Sequence, residues 1–181
     1  MSEIKVLHAE NQPLLIEGLK RVLLDYEITQ QIYSVSKSEL INSGIVAYEP
    51  NLLVIDYSQK DFFSISDIEK ITNSHPKIAI MVISNDVSIV RITKALELGI
   101  RGFLTKNSPV DEVLLAVRKI VKGEKYFCSK IIDVLVNKNN YQKLALNSSN
   151  ILTDREQEIV KNIALGKTNK QVGCLLGCLL Y

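Results

Sequence analysis

The chain has 181 residues, enough for one full domain and a smaller second unit. Its hydrophobic fraction of 46% is that of a globular protein, and no apolar run approaches the roughly 18 residues that cross a bilayer. The net charge of +2 falls short of the strongly basic balance of a dedicated nucleic-acid binder, and MSEIKVLHAENQP lacks the profile of a signal peptide, so a cytoplasmic protein is expected.

Apolar runs that read as buried strands alternate with helical periodicity. Ile4–Ala9 is a strand, and Pro13–Tyr26 a helix with Leu14, Leu15, Leu19, Val22 and Leu23 on one stripe. Gln31–Val35 is a weaker strand, Ser38–Tyr48 a short helix interrupted by Gly44, and Asn51–Ile55 a buried strand ending at Asp56. Ser66–Ser74 reads as a helix stopped by Pro76. Ile78–Ser84 is the strongest strand, Val87–Leu98 a helix closed by Gly99, and Gly102–Thr105 the fifth strand. Ser108 is expected to cap a last helix with Pro109 at its first position and Asp111 and Glu112 in its first turn.

Five strands alternating with five helices predict an α/β domain built on a five-stranded parallel, doubly wound sheet. The strands are apolar throughout, as strands covered on both faces are. Residues 129–150 turn polar (VNKNNYQK, NSSN) and read as a linker, after which a short all-α unit runs over 151–181. The three cysteines, Cys128, Cys174 and Cys178, are an odd number in a chain without a secretion signal and are expected as free thiols.

In a doubly wound sheet, functional groups gather beyond the carboxyl ends of the strands. Here these are Glu10 and Asn11 after the first strand, Asp56 after the third, Ser84 after the fourth and Lys106 after the fifth. Carboxylates with a lysine and a hydroxyl suit a hard divalent cation and a phosphoryl group, and an aspartate can itself be the nucleophile.

This order resembles the receiver domain of two-component response regulators, carried by VLHAENQPLLIEGL, NLLVIDYS, MVISN and GFLTKNSP over residues 1–128. The resemblance implies a flavodoxin-like fold, phosphorylation of Asp56, and a sensor histidine kinase as partner. It implies Ser84 as the switch hydroxyl, Phe103 as the switch aromatic and Lys106 as the phosphate-binding lysine. It implies Mg2+ held by Glu10, Asn11, Asp56 and Ser58. Two departures stand out. The acidic pair of the family is Glu-Asn here, and the loop DYSQKDFFS has neither the Pro nor the Gly usual there. Two carboxylates where three are usual predict weak Mg2+ binding. A degenerate, phosphorylation-independent receiver that acts as an interaction or dimerisation module is the alternative.

ILTDREQEIVKNIALGKTNKQV resembles the opening of the helix-turn-helix domain of NarL/FixJ and LuxR-type regulators. Thr153 and Glu156 form a capping box, Gly166 ends that helix and Thr168 caps the next. The resemblance implies a transcription regulator that contacts DNA, with Lys167, Thr168 and Lys170 at the interface. The recognition helix would follow, but the sequence runs into GCLLGCLLY, so a truncated helix-turn-helix is expected. An enzyme is not expected. A phosphatase with an aspartate nucleophile usually has a second Asp two residues on, where Ser58 stands, and HAENQP has no G-x-G-x-x-G for a dinucleotide.

Residues 151–181 carry Arg155, Lys161, Lys167 and Lys170 against Asp154, Glu156 and Glu158, a balance of +1. Few phosphate contacts follow from that, and without a recognition helix there are no side chains for base edges. The expected outcome of a gel-shift with this chain is weak, non-selective binding lost on adding salt; a complex that survives physiological salt and competitor DNA would refute it.

Overall fold

The computed structural model describes residues 4–59, 61–86 and 88–136. The chain divides into two units, Met1–Lys138 and Asn139–Tyr181, and all described residues belong to the first. The expected helix-turn-helix, with Lys167, Thr168 and Lys170, lies outside them.

The elements follow in the order β1 (Lys5–Ala9), α1 (Pro13–Asp25), β2 (Gln31–Val35), α2 (Glu39–Tyr48), β3 (Leu52–Ile55), α3 (Ile65–Ser74), β4 (Ala79–Ile83), α4 (Ile89–Glu97), β5 (Gly102–Leu104), α5 (Val110–Val121) and β6 (Tyr126–Phe127). The strands form one sheet in the order β2-β1-β3-β4-β5-β6 with every pair parallel. The five expected strands are all there. The sixth, β6, corrects that count among the described residues. It is only two residues long, so it carries no periodic signal that sequence could have offered.

β1, β3 and β4 make the centre of the sheet. Val6, Leu7, Leu52, Leu53, Val54, Ile55, Met81 and Val82 are completely buried, as strands covered on both faces must be. α2 packs against β1 and β2 so closely that a Cβ on Gly44 would lie 3.3 Å from Leu7 Cδ1 and Val35 Cγ1. The glycine that interrupts the helical pattern is therefore the point where helix meets sheet, and its weak helix propensity is outweighed by that packing. Gly99, with φ +85°, closes α4 as expected.

Two expectations at the end of the unit change. Pro109 is the N-cap of α5, which starts at Val110, and Ser108 makes no side-chain cap; its N–H donates to the Thr105 carbonyl at 2.9 Å. A proline in extended backbone (ψ 156°) is suited to the position before the first turn. The polar stretch expected as linker from 129 opens as a helix over residues 129–136, where Ile131, 1% exposed, packs beside Cys128 in the core. The apolar residues of IIDVLV, with Val134 and Leu135 packed against the core, are what a polar reading of this stretch passes over.

α3 begins with a capping box. The Asp67 carboxylate accepts the Ser64 N–H at 2.8 Å and the Ser64 hydroxyl at 2.9 Å, and reaches across to the Ser38 hydroxyl at the start of α2 at 2.6 Å. Burial pushes the Asp67 carboxyl upward, but the hydrogen bonds from Ser38 and Ser64 and the charge of Lys70 more than offset this and hold it below its ordinary value. A carboxyl depressed in the folded state stabilises fully above its unfolded pKa of about 4 and loses that contribution as pH falls through the folded value. Asp67→Ala should therefore cost about 1–2 kcal/mol in urea denaturation at pH 7, and the gap to the parent should narrow below about pH 4.

Candidate functional site

The register of the sheet assembles the site. Ala9 pairs with Ile55, Ile55 with Val82, and Ile83 with Leu104, so the residues that follow each strand emerge side by side. The Glu10 N–H donates to the Val35 carbonyl at 3.1 Å, and the Ser84 N–H to the Leu104 carbonyl at 3.0 Å. Chain order reverses between β1 and β3, so Glu10 and Asp56 flank the switch point at which such sheets form their crevice.

The Lys106 ammonium sits 2.7 Å from Asp56 Oδ2 and 3.4 Å from Glu10 Oε2, with both carboxylate side chains 3% exposed. Asp56 Oδ1 accepts the Ser58 N–H at 2.9 Å and its hydroxyl at 2.7 Å, and Ser84 donates on to the Ser58 oxygen at 3.0 Å. Burial alone would raise the Asp56 pKa; hydrogen bonds from Lys106, Ser58 and Ser84 reverse that and lower it, so Asp56 is a carboxylate at neutral pH. An ionised Asp beside an ammonium, with hydroxyls within reach, can attack phosphorus and have the charge of the product held.

Glu10, Asn11, Asp56, Ser58, Ser84 and Lys106 thus lie together, as the sequence order implied. Phe103 is fully buried one strand in and meets the Tyr57 ring edge-on, centroids 6.0 Å apart. Tyr57 went unnoticed in the sequence, as did Asp86, whose carboxylate accepts Arg91 Nη2 at 2.7 Å and the Ser88 N–H at 2.9 Å. The Asp86 N–H in turn donates to Ser84 Oγ at 3.1 Å. Burial and the neighbouring Asp86 push the Tyr57 phenol upward, although no hydrogen bond of ordinary geometry joins them. His8, buried on β1, is lowered to about 4 by burial and then by the charge of Lys106, so it is neutral at physiological pH. It lines a cavity of about 180 Å³ with Leu15, Leu19 and Val22 of α1 and Val110 and Val113 of α5.

Gln59, 8% exposed, is the other residue missed. Its side-chain amide donates to Glu10 Oε1, and its carbonyl oxygen accepts the Asn11 N–H at 3.2 Å. Glu10 Oε1 also accepts the Asn11 and Gln12 N–H groups, each at 2.9 Å. The only signal in the sequence was negative: a polar loop without the expected Pro and Gly.

The oxygen donors are of the kind Mg2+ takes. Two carboxylates against one ammonium leave a local charge of −1, less than a dication seat with three carboxylates would carry. Among the described residues, no group of three or more His, Cys, Asp or Glu side chains is placed to hold a metal.

Among curated proteins, the chain is 28% identical over 178 residues to the transcriptional regulatory protein MctR of Rhizobium johnstonii, covering 97% of this chain and 79% of that one. It is 27% identical over 176 residues to the oxygen regulatory protein NreC of Staphylococcus aureus, covering 93% and 81%. Over nearly its whole length the chain is thus similar to two-component response regulators of the LuxR/NarL family. No family model matches it. Among solved structures, the receiver domain of RcsB from Salmonella enterica serovar Typhimurium, in the presence of the phosphomimetic BeF3−, shares its fold with a TM-score of 0.67 at 19% identity, over 74% of this chain and 99% of that one. These relatives are named as regulators, not enzymes. No helix among its described residues is long and apolar enough to cross a membrane.

Removing the ammonium leaves Glu10 and Asp56 as two buried carboxylates in mutual repulsion. Lys106→Met should cost about 3 kcal/mol at pH 7. In that variant protonation of a carboxylate relieves the repulsion and so favours the fold. The deficit should shrink as pH falls from 7 to about 5, measured by denaturant titration at each pH.

Proposed function

We propose that Asp56 receives a phosphoryl group from a sensor histidine kinase in the cytoplasm, and that this controls transcription. The observation that carries this is the ionised Asp56 carboxylate, 2.7 Å from Lys106 at the mouth of a parallel sheet, with Ser84 one hydroxyl away. The carboxylate oxygen would attack phosphorus in line as the bond to the donor histidine nitrogen breaks, giving an acyl phosphate. Lys106 would exchange its ion pair with Asp56 for one with the phosphoryl oxygens. The Ser84 hydroxyl, freed from Ser58, would donate to the same group.

Glu10, Asn11 and Asp56, with Ser58 beside them, would hold Mg2+, which neutralises charge on a transferring phosphoryl group. Movement of Ser84 would pull on the Asp86 N–H and hence on the start of α4, held by Asp86 through Ser88 and Arg91. Phe103 and Tyr57 flank that path. This supports a two-state element at the β4–α4 loop whose balance phosphorylation shifts. DNA contact by residues 151–181, and a homodimer, belong to the same reading.

A second reading, a receiver that works without phosphorylation, is favoured by the Glu10–Asn11 pair, which leaves the site short of negative charge. Acetyl phosphate with Mg2+ separates the two. Under the first reading, intact-protein mass spectrometry finds one added phosphoryl group, and Asp56→Asn abolishes it. No adduct at saturating Mg2+ would favour the second.

A further inference from the structure

Gln59 supplies the one side-chain donor on Glu10 Oε1. Three donors converge on Oε1, and Oε2 faces Lys106. Two of the three are backbone N–H groups at the entry to α1, held where they are by the helix that follows. Only the third, Gln59 Nε2, is at the end of a side chain that can rotate away. The orientation of its amide is unambiguous, because Glu10 can only accept and the Asn11 N–H can only donate. The Gln59 backbone is fixed as well: its carbonyl accepts the N–H groups of Phe62 at 3.1 Å and Phe63 at 3.0 Å, so the side chain is aimed at Glu10 by a closed turn.

We infer that Gln59 is a latch on the cation seat: its amide stands in for part of the charge a divalent ion would supply, and Mg2+ reaches Glu10 only by displacing it. This rests on the reading of Glu10 and Asp56 as that seat. The latch joins the β3–α3 loop to the β1–α1 loop, so the two carboxylates remain side by side without a metal. It also means that cation binding gives up a hydrogen bond to a charged group, which lowers affinity beyond what the missing third carboxylate already does. Gln59 is thus a specificity-setting residue, tuning how much Mg2+ the site requires before it can act.

Two variants test this, with calorimetric titration of MgCl2 and thermal unfolding in EDTA as readouts. Gln59→Ala removes the competing donor, and Mg2+ should bind roughly tenfold more tightly than to the parent. Gln59→Glu replaces the donor with a third carboxylate and should bind more tightly still. In EDTA both variants should melt below the parent, and Mg2+ should restore Gln59→Glu most. Equal Mg2+ affinity in the parent and Gln59→Ala, with Gln59→Glu tighter, would overturn the latch and leave the seat intact. No Mg2+ binding by any of the three proteins would overturn the seat itself, and the latch with it. Far-ultraviolet circular dichroism establishes that each variant is folded, and Gln59→Asn, which keeps the amide but shortens its reach, should fall between the parent and Gln59→Ala.

Discussion

The Lys106 ammonium between Glu10 and Asp56 is the interaction on which the rest of the unit depends. Two carboxylates at 3% exposure repel and lack hydration, and a charge of opposite sign within 3.4 Å is what makes their burial tolerable. Those three residues follow β1, β3 and β5, strands that are not neighbours in the sequence. The ion pair can form only when the sheet has its strand order and register, so the site reports on the whole fold. The apolar strands provide the energy and the charges set the alignment: a shift of one residue would turn Ala9 and Ile55 outward and bring Glu10 and Asp56 against the wrong faces.

From that centre a continuous line of hydrogen bonds leaves the site on one side. It runs from Asp56 through Ser58 and Ser84 to Asp86, and ends where Asp86 holds the first turn of α4 and Arg91. Every member after Asp56 is a short side chain or a backbone N–H, so a change of a few tenths of an ångström at Ser84 has little slack in which to disappear. Phe103, fully buried, meets the Tyr57 ring edge-on beside this line.

Much of this was legible in the amino-acid sequence because it depends on local pattern. Continuous apolar runs such as IAIMVIS announce buried parallel strands, and the residue after each run is then placed by topology alone, which is how Glu10, Asp56, Ser84 and Lys106 could be grouped before any coordinates. What stayed hidden has in common a long-range cause. Gln59 meets Glu10 across 49 positions of sequence, and Asp86 matters only because α4 turns Arg91 back towards it. β6 exists because β5 offers it an edge, not because YF prefers to be extended. Gly44 looked like a flaw in a helix and is a contact with the sheet. Pro109 was placed one position too far into its helix, a boundary that propensity does not resolve.

The brevity of β6 has a consequence for how copies of the protein can meet. β5 offers three residues to its outer neighbour, and β6 covers Gly102 and Phe103 with a strand of only two. An exposed strand recruits another chain by presenting a long row of unpaired N–H and C=O groups, and two residues are too few to template a ladder. The sheet is therefore closed to extension at that side. Contacts between copies along that side would rest on side chains, which can come apart again, rather than on backbone pairing, which tends to propagate; the five-residue β2 is the sheet's other edge.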